Sequence, residues 1–208
     1  MDLVRLYGRF HGETEGLVRD MKQAKSLADK HTESWEHSQV YIRAQQMIII
    51  RAVDSWGKYC RSIILESCYA TPKTESGTVV TRAAGILSRS DALAKVSQRY
   101  YRPPHREPSW HVPSEAIGAA RYLGINNFTS VSLALGSTPN PIDDLRILRN
   151  SLAHRSMHAI NRMNQVILNY GYKGLDAQEF LTMTKLPGIL IFEDWMMTIR
   201  GIARAAIH

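Results

Sequence analysis

The sequence predicts an all-α fold, and three observations support that prediction. Apolar residues recur at steps of three and four positions through most of the 208 residues, the spacing that keeps them on one face of a helix. Between these patterns stand glycines and prolines, which end helices. Strand patterns are sparse, and the best of them, "GILIF" at 188–192, could equally belong to a following helix. We therefore expect a helical bundle.

The first half of the chain contains one long helix flanked by shorter elements. A polar helix is predicted over 12–30 and a long, largely buried helix over 38–69, followed by a turn at 70–77. One or two short helices are predicted within 78–101, and the four prolines of 102–113 predict an irregular insertion. The apolar positions of these helices are Val40, Ile42, Met47, Ile50, Val53, Trp56, Tyr59, Ile63, Ile64, then Val80, Ala84, Leu87, and then Leu93, Val96 and Tyr100.

The second half is predicted to be a series of shorter helices. In chain order these are 114–123 ended by Gly124, a helix from Pro141, a helical run to Tyr170, a short segment at 176–185 and a closing helix from about Ile189 to Ala206. Asp143 and Asp144 lie in the first turn after Pro141, where carboxylates complement the helix dipole. Phe192, Trp195, Met196, Ile199 and Ile202 of the closing helix form an apolar face that suits a core or a dimer interface. We expect a single domain over 1–208.

Composition and charge limit the possible functions. Lys and Arg exceed Asp and Glu by 26 to 19, a net charge of +7 that favours phosphate-rich partners. No apolar run is long enough to span a membrane, and charges throughout the first 20 residues argue against a secretory signal, so we expect a cytoplasmic protein without a membrane partner. Cys60 and Cys68 are too far apart along one helix for a disulfide and are predicted to be reduced and buried. No metal or other cofactor is predicted.

The stretch "DDLRILRNSLAHR" at 143–155 carries the strongest candidate site. An arginine precedes a histidine by five or six positions four times in the chain, but only Arg149 and His154 lie on a helix without breakers. Asn150 precedes His154 by one helical turn and can contact it. Arg149, however, points about 140° around a regular helix from His154. The two can act together only if the helix ends near His154 or if a second copy of the chain completes the site.

Residues 148–154, "LRNSLAH", resemble the signature of HEPN domains (higher eukaryotes and prokaryotes nucleotide-binding), which are α-helical bundles. The resemblance implies a homodimeric, metal-independent endoribonuclease that dimerises through the motif-bearing helices and holds both motifs in one cleft. It further implies that Arg149 stabilises the scissile phosphate, Asn150 orients groups in the site and His154 transfers protons. A toxin or effector of a prokaryotic toxin-antitoxin or anti-phage defence system, with an antitoxin or regulatory protein as partner, is the implied biological role.

One position departs from the family pattern. In the toxin branch controlled by nucleotidyltransferase antitoxins, a tyrosine that becomes modified follows the histidine by two residues. Ser156 stands at that position here, which puts neutralisation by that route in doubt.

Further basic residues near the motif are candidate RNA contacts. Arg146 lies one turn before Asn150, and Arg155, Arg162 and Lys173 extend the positive charge beyond the motif. His154 with His158 forms an H-x-x-x-H pair that could hold a metal on one helix face, but no third ligand is evident.

The proline-rich segment combines basic and aromatic residues. Tyr100 and Tyr101 precede Arg102, His105, Arg106, Trp110 and His111, which could bind the RNA backbone and stack bases or simply clamp the core.

Two other functions remain open from the sequence. A catalytically inactive module of the same fold could bind RNA or a nucleotide through the basic cleft. A helical scaffold could recruit a protein partner through the apolar closing helix.

Overall fold

A computed structural model describes residues 2–30, 35–100, 107–138, 140–154 and 156–208, with side chains omitted at 35–38. Within that part of the chain, 72% of residues are helical and 4% are in strands, which confirms the predicted all-α class. No helix of the described residues is long and apolar enough to cross a membrane.

Nine helices and one short hairpin make up the described part of the chain. They are α1 (Leu3–Lys30), α2 (Trp35–Tyr69), α3 (Arg89–Arg99), α4 (Pro113–Leu123), α5 (Phe128–Leu135), α6 (Pro141–His154), α7 (Met157–Asn169), α8 (Ala177–Thr182), β1 (Thr184–Leu186), β2 (Ile189–Leu190) and α9 (Ile191–Ala205).

The chain divides into two compact units. Unit 1 comprises Met1–Gly12, Ser55–Asn140 and Arg200–His208, and unit 2 comprises Glu13–Asp54 and Pro141–Ile199. Each unit is therefore built from several separate stretches of sequence, and α1, α2 and α9 contribute residues to both. The candidate motif belongs to unit 2.

The core of unit 1 is built around an aromatic cluster. Phe10 stacks on Tyr59 with ring centroids 4.7 Å apart, and Trp56 lies 6.0 Å from Phe10. The Tyr59 hydroxyl donates a 2.6 Å hydrogen bond to the carbonyl of Ala203. Because the hydroxyl is buried, the pKa of Tyr59 is raised well above its ordinary value. This bond fixes the end of α9 against α2.

Aromatic residues also form the core of unit 2. Phe180 of α8 is fully buried and lies 5.5 Å from Tyr170 and 5.7 Å from Trp195 between ring centroids. Asp176 and Glu179 form a capping box that starts α8, so the short segment predicted at 176–185 is helical at 177–182. The cluster ties α8, α9 and the residue following α7 together.

The closing helix begins two residues later than predicted, because Ile189 and Leu190 pair with β1 in an antiparallel hairpin. Gly188 occupies the turn with φ of 80°, a conformation that favours glycine. The five apolar residues expected on this helix, Phe192, Trp195, Met196, Ile199 and Ile202, are all buried. They therefore belong to the core, and they do not offer a surface for recruiting a partner.

The prediction of a first helix within 78–101 is wrong, because no helix lies between α2 and α3 in the part of the chain that the structure describes. The described chain at 78–87 forms turns, with a bridge between Lys73 and Val79 and positive φ at Gly77 and Gly85. Ala84 and Leu87, which were expected to be buried, are exposed, and the neighbouring Ala83 and Ile86 are buried. The second helix is confirmed as α3, with Val96 in the core.

Three other expectations change in detail. The polar helix predicted from residue 12 begins at Leu3, and α5 had no predicted counterpart. In the long helix, Val40 and Met47 are 61% and 54% exposed although they were expected to be buried. Cys60 and Cys68 are free and buried, as predicted, and burial raises the pKa of the Cys68 thiol to about 11.

The described end of the proline-rich segment lies against α2. Arg61 donates two hydrogen bonds of 2.7 and 2.9 Å to the Glu107 carboxylate, which also accepts one from the Trp110 indole at 2.8 Å. His111 crosses α2 at Gly57, where an added Cβ would lie 3.3 Å from the His111 Cβ. Residues 107–111 thus clamp the helix. Trp110 is buried and cannot stack bases, and residues 101–106 lie outside the described part of the chain.

The Arg61–Glu107 pair should make the stability of the protein depend on pH. The Arg61 guanidinium holds the pKa of Glu107 below its ordinary value. A carboxylate with a depressed folded-state pKa stabilises the fold above its unfolded pKa of about 4.3 and loses that contribution as the pH falls through the folded value. We expect urea unfolding to show Arg61→Met less stable than wild type at neutral pH, with the difference shrinking below about pH 4.

Glu75→Gln is the control, because Glu75 forms a bidentate pair with Arg204, whose side chain is 62% exposed compared with 27% for Arg61. It should change stability less at neutral pH because solvent screens exposed pairs. A difference between Arg61→Met and wild type that stays constant from neutral to acidic pH would contradict the proposed role of the Glu107 charge.

Candidate functional site

The candidate motif lies on α6, whose core face is close to the one predicted. Pro141 is buried at the start of the helix, and Ile142, Leu145 and Leu148 are buried along it. The fourth predicted core residue, Leu152, is partly exposed, and Ser151 is buried instead. The Ser151 hydroxyl is accommodated because it donates to the Leu148 carbonyl at 2.7 Å.

The helix ends at His154, which is one of the two arrangements anticipated from the angle between Arg149 and His154. Ser156 has an extended backbone with φ of −76° and ψ of 152°, and its hydroxyl accepts a 3.2 Å hydrogen bond from the Ala159 amide. It is therefore the N-cap of α7. The His154 side chain is exposed on the last residue of α6, so its imidazole is accessible to a ligand.

Helix α7 returns antiparallel along α6. Near the motif, the Ser151 hydroxyl lies 3.2 Å from the Met163 sulfur. At the other end, the Tyr170 hydroxyl donates a 3.0 Å hydrogen bond to Asp144. Burial raises the pKa of the Asp144 carboxyl and that of the Tyr170 hydroxyl, which is also raised by the Asp144 charge. These contacts hold the two helices at both ends.

Arg149 is oriented by its neighbour in the sequence. One guanidinium nitrogen donates a 3.2 Å hydrogen bond to the Asn150 side-chain oxygen. The Arg149 Nε is buried and has no hydrogen-bond partner among the described residues. Arg149 follows Leu145 by four residues and so points only about 40° from that core position, which explains its partial burial.

Arg146 resembles Arg149 in its surroundings. It donates a 3.0 Å hydrogen bond to Asp143, and its side chain is 20% exposed. Its Nε is also buried without a partner among the residues that the structure describes. Two guanidinium groups, one turn apart on α6, thus each retain an unused buried donor.

The structure does not bring all of the predicted residues together. Arg162 is exposed on the first half of α7, and Lys173 is exposed in the turn that follows α7. Because Tyr170 contacts the beginning of α6, Lys173 lies roughly one helix length, ~20 Å, from His154 along the axis. Arg155 lies outside the described residues.

The alternative metal pair is not supported by the helix geometry. His154 ends α6 and His158 lies in the first turn of α7, so the two do not share one regular helix. In the described ranges there is no group of three or more His, Cys, Asp or Glu side chains that could hold a metal ion.

No protein-family model, curated protein or solved structure matches this chain.

Sequence reasoning considered Ser156 only as the residue that replaces a tyrosine. Its structural role could have been recognised, because serine is among the best N-cap residues and apolar residues at helical spacing follow it. From the sequence, Asp143 was assigned only an interaction with the helix dipole. Its ion pair with Arg146 was missed, although the three-residue spacing allows such a contact on a helix.

Ser156→Ala should destabilise the protein by about 1 kcal/mol, because the Ala159 amide loses its acceptor. Ser156→Asp should retain most of the stability, since a carboxylate caps a helix equally well. Urea unfolding followed by circular dichroism measures both.

Ser26→Ala provides the control, because Ser26 is exposed in the interior of α1 and alanine favours a helix there. Equal stability of Ser156→Ala and wild type would show that the Ser156 hydroxyl does not stabilise the first turn of α7.

Proposed function

We propose that this protein is a metal-independent endoribonuclease that acts as a homodimer, with Arg149, Asn150 and His154 at its catalytic site. The observation that carries the proposal is the end of α6: an exposed histidine on the last residue of the helix, one turn after an arginine and asparagine that are hydrogen-bonded to each other. The resemblance of "LRNSLAH" to the HEPN signature selects RNA cleavage among the reactions that such side chains can perform.

RNA cleavage by these residues requires no external nucleophile. The 2′-oxygen of the ribose attacks the adjacent phosphorus, the bond from phosphorus to the 5′-oxygen breaks, and a 2′,3′-cyclic phosphate and a 5′-hydroxyl result. One proton leaves the 2′-hydroxyl and one is delivered to the 5′-oxygen. Histidine exchanges protons near neutral pH, and an arginine stabilises the charge on the phosphorane.

The two unused Nε donors favour a phosphate ligand. A buried N–H without a partner costs about 1–3 kcal/mol, and a phosphate oxygen could accept hydrogen bonds from the Arg149 guanidinium. The bidentate fork of arginine suits phosphate better than a lysine ammonium does. Asn150 would keep this fork oriented while the substrate binds.

A second chain would bring another Arg149 and another His154 to the site, since one regular helix cannot direct both residues into the same cleft. Arg149 and His154 point in directions about 140° apart on one helix, whereas two helices related by a twofold axis can direct side chains into one cleft. Met157, beside the end of α6, is 71% exposed and would suit burial in such an interface. A dimer would also provide two imidazoles, one to accept and one to donate a proton.

The biological role follows from the resemblance alone. Such an enzyme would serve as a toxin or effector of a prokaryotic toxin-antitoxin or anti-phage defence system, restrained by an antitoxin or another regulatory protein.

His154→Ala should abolish RNA cleavage, because no other group of the motif exchanges protons near neutral pH. Wild type should cleave in the presence of EDTA and leave 2′,3′-cyclic phosphate ends, detected by mass spectrometry of the fragments. His158→Ala is the matched control, since His158 is a nearby exposed histidine on a different helix, and it should cleave like wild type.

Intact RNA after incubation with folded wild-type protein would overturn the nuclease proposal. If that protein still bound RNA, the inactive binding module would be favoured. Indifference to RNA together with a stable complex with another protein would favour a scaffold that binds its partner through a surface other than the buried face of α9.

Mixing active and inactive chains tests whether the site is shared. When wild-type and His154→Ala chains are coexpressed in equal amounts, a cleft that needs both motifs should leave about one quarter of the activity of an equal amount of wild-type dimer. Chains that act alone should leave about half. Native mass spectrometry would establish the proportion of each dimer, and a purely monomeric protein would exclude the shared cleft.

A further inference from the structure

A second group of cations lies on unit 1, where it surrounds aromatic rings on three consecutive helices. Arg99 of α3 lies 5.1 Å from the ring centroid of Tyr122 and 5.8 Å from that of Tyr100. Lys95 lies 6.0 Å from the Tyr122 centroid. On the next helices, Arg121 of α4 lies 5.3 Å from the ring of Phe128. The cation–aromatic patch comprises Lys95, Arg99, Tyr100, Arg121, Tyr122 and Phe128.

The local fold holds this patch in place. Lys95 and Arg99 are four residues apart and share a face of α3, while Ala92 and Val96 bury the adjacent face. Tyr100 crosses α4 at Gly118, where an added Cβ would lie 2.8 Å from the tyrosine hydroxyl. The glycine thus allows the Tyr100 ring to lie close to α4.

The cations of the patch are not neutralised within the part of the chain that the structure describes. Among the described residues, no carboxylate lies within 4.0 Å of the charged groups of Lys95, Arg99 or Arg121. Other arginines, such as Arg61 and Arg204, pair with a glutamate. An aromatic ring attracts a cation without cancelling its charge, so the patch retains its attraction for anions.

The side chains also remain accessible. Arg99 and Arg121 are exposed, and the rings of Tyr100, Tyr122 and Phe128 are partly exposed. The guanidinium groups of Arg99 and Arg121 thus remain open to solvent while they lie near a ring. Nucleic-acid bases stack on arginine planes and on aromatic rings.

We infer that the cation–aromatic patch binds single-stranded RNA, with phosphates on Lys95, Arg99 and Arg121 and bases stacked against the arginine planes and rings. Unpaired strands fit this surface because a duplex conceals the faces of its bases. The choice of RNA over DNA rests on the proposed nuclease function. The patch belongs to unit 1 and the motif on α6 to unit 2, and the patch would supply affinity for substrate that the chemistry itself does not require.

The experiment measures fluorescence anisotropy of a labelled oligoadenylate of about 12 nucleotides. All proteins carry His154→Ala, so that the RNA stays intact. Adding Arg99→Ala with Tyr122→Leu should weaken binding about tenfold or more, since stacking on one base contributes that much. Each cation removed should lower the slope of log affinity against log salt by roughly 0.7.

Three controls separate stacking from charge and from folding. Arg82→Ala removes an exposed arginine from a loop of unit 1 and should bind like the parent. Arg99→Lys keeps the charge but not the plane and should lose part of the affinity. Tyr122→Leu alone keeps all three charges and should still weaken binding, while urea unfolding measures any loss of stability.

Binding that is equal for the parent and for the Arg99→Ala, Tyr122→Leu protein would overturn the inference, as would an equal loss with Arg82→Ala. Duplex RNA that binds as tightly as the single strand would also overturn it, as would patch-dependent binding to anionic vesicles with no affinity for RNA. If proteins that retain His154 cleave RNA whether or not the patch is substituted, the nuclease proposal stands even when the binding inference fails. If RNA binding depends on the patch but wild type does not cleave RNA, the binding inference stands and the nuclease proposal fails.

Discussion

The hydrogen bond from the Ala159 amide to the Ser156 hydroxyl caps α7 at the corner that follows α6, and the geometry of the candidate site depends on that corner. A helix that continued past His154 would carry the imidazole on a regular surface together with His158. Because the chain turns at this point, His154 lies at an accessible end of α6, and α7 runs back to bring Tyr170 against Asp144. Ser156 thus caps α7 directly after the motif helix, and α7 packs against that helix through Met163 and Tyr170.

The same corner explains why a serine stands where a modifiable tyrosine would be expected from the resemblance. Tyrosine has no short hydroxyl that can reach the amide three residues later, so it could not cap α7 in this way. Position 156 can therefore hold either a residue that caps α7 or a tyrosine that can be modified, but not both. In this chain the cap is present, so position 156 offers no tyrosine for modification.

Helix periodicity in the sequence predicted most of the helices and the motif helix, because breakers and caps are local signals. It failed at 78–87, where Val80, Ala83 and Ile86 are buried at three-residue steps along a non-helical chain. It also favoured Leu152 over Ser151, since hydropathy does not reveal that a hydroxyl can bond to the preceding turn. The cation–aromatic patch escaped prediction because its members come from three helices. Of the aromatic residues singled out from the sequence, Tyr100 belongs to the patch, whereas Trp110 is buried and donates its indole N–H to Glu107.

The two sets of cations differ in a way that suggests different tasks. On α6, Arg146 and Arg149 are partly buried and bound to neighbouring side chains, so their direction is fixed and their interaction with a phosphate would be weakly screened. On unit 1, Arg99 and Arg121 are exposed and lie over rings, where salt screens them strongly. Fixed donors suit the stabilisation of one reacting phosphate, and exposed cations suit the capture of a strand without regard to its sequence. The surroundings of these arginines therefore match the two proposed tasks, stabilisation of a phosphate on α6 and capture of a strand on unit 1.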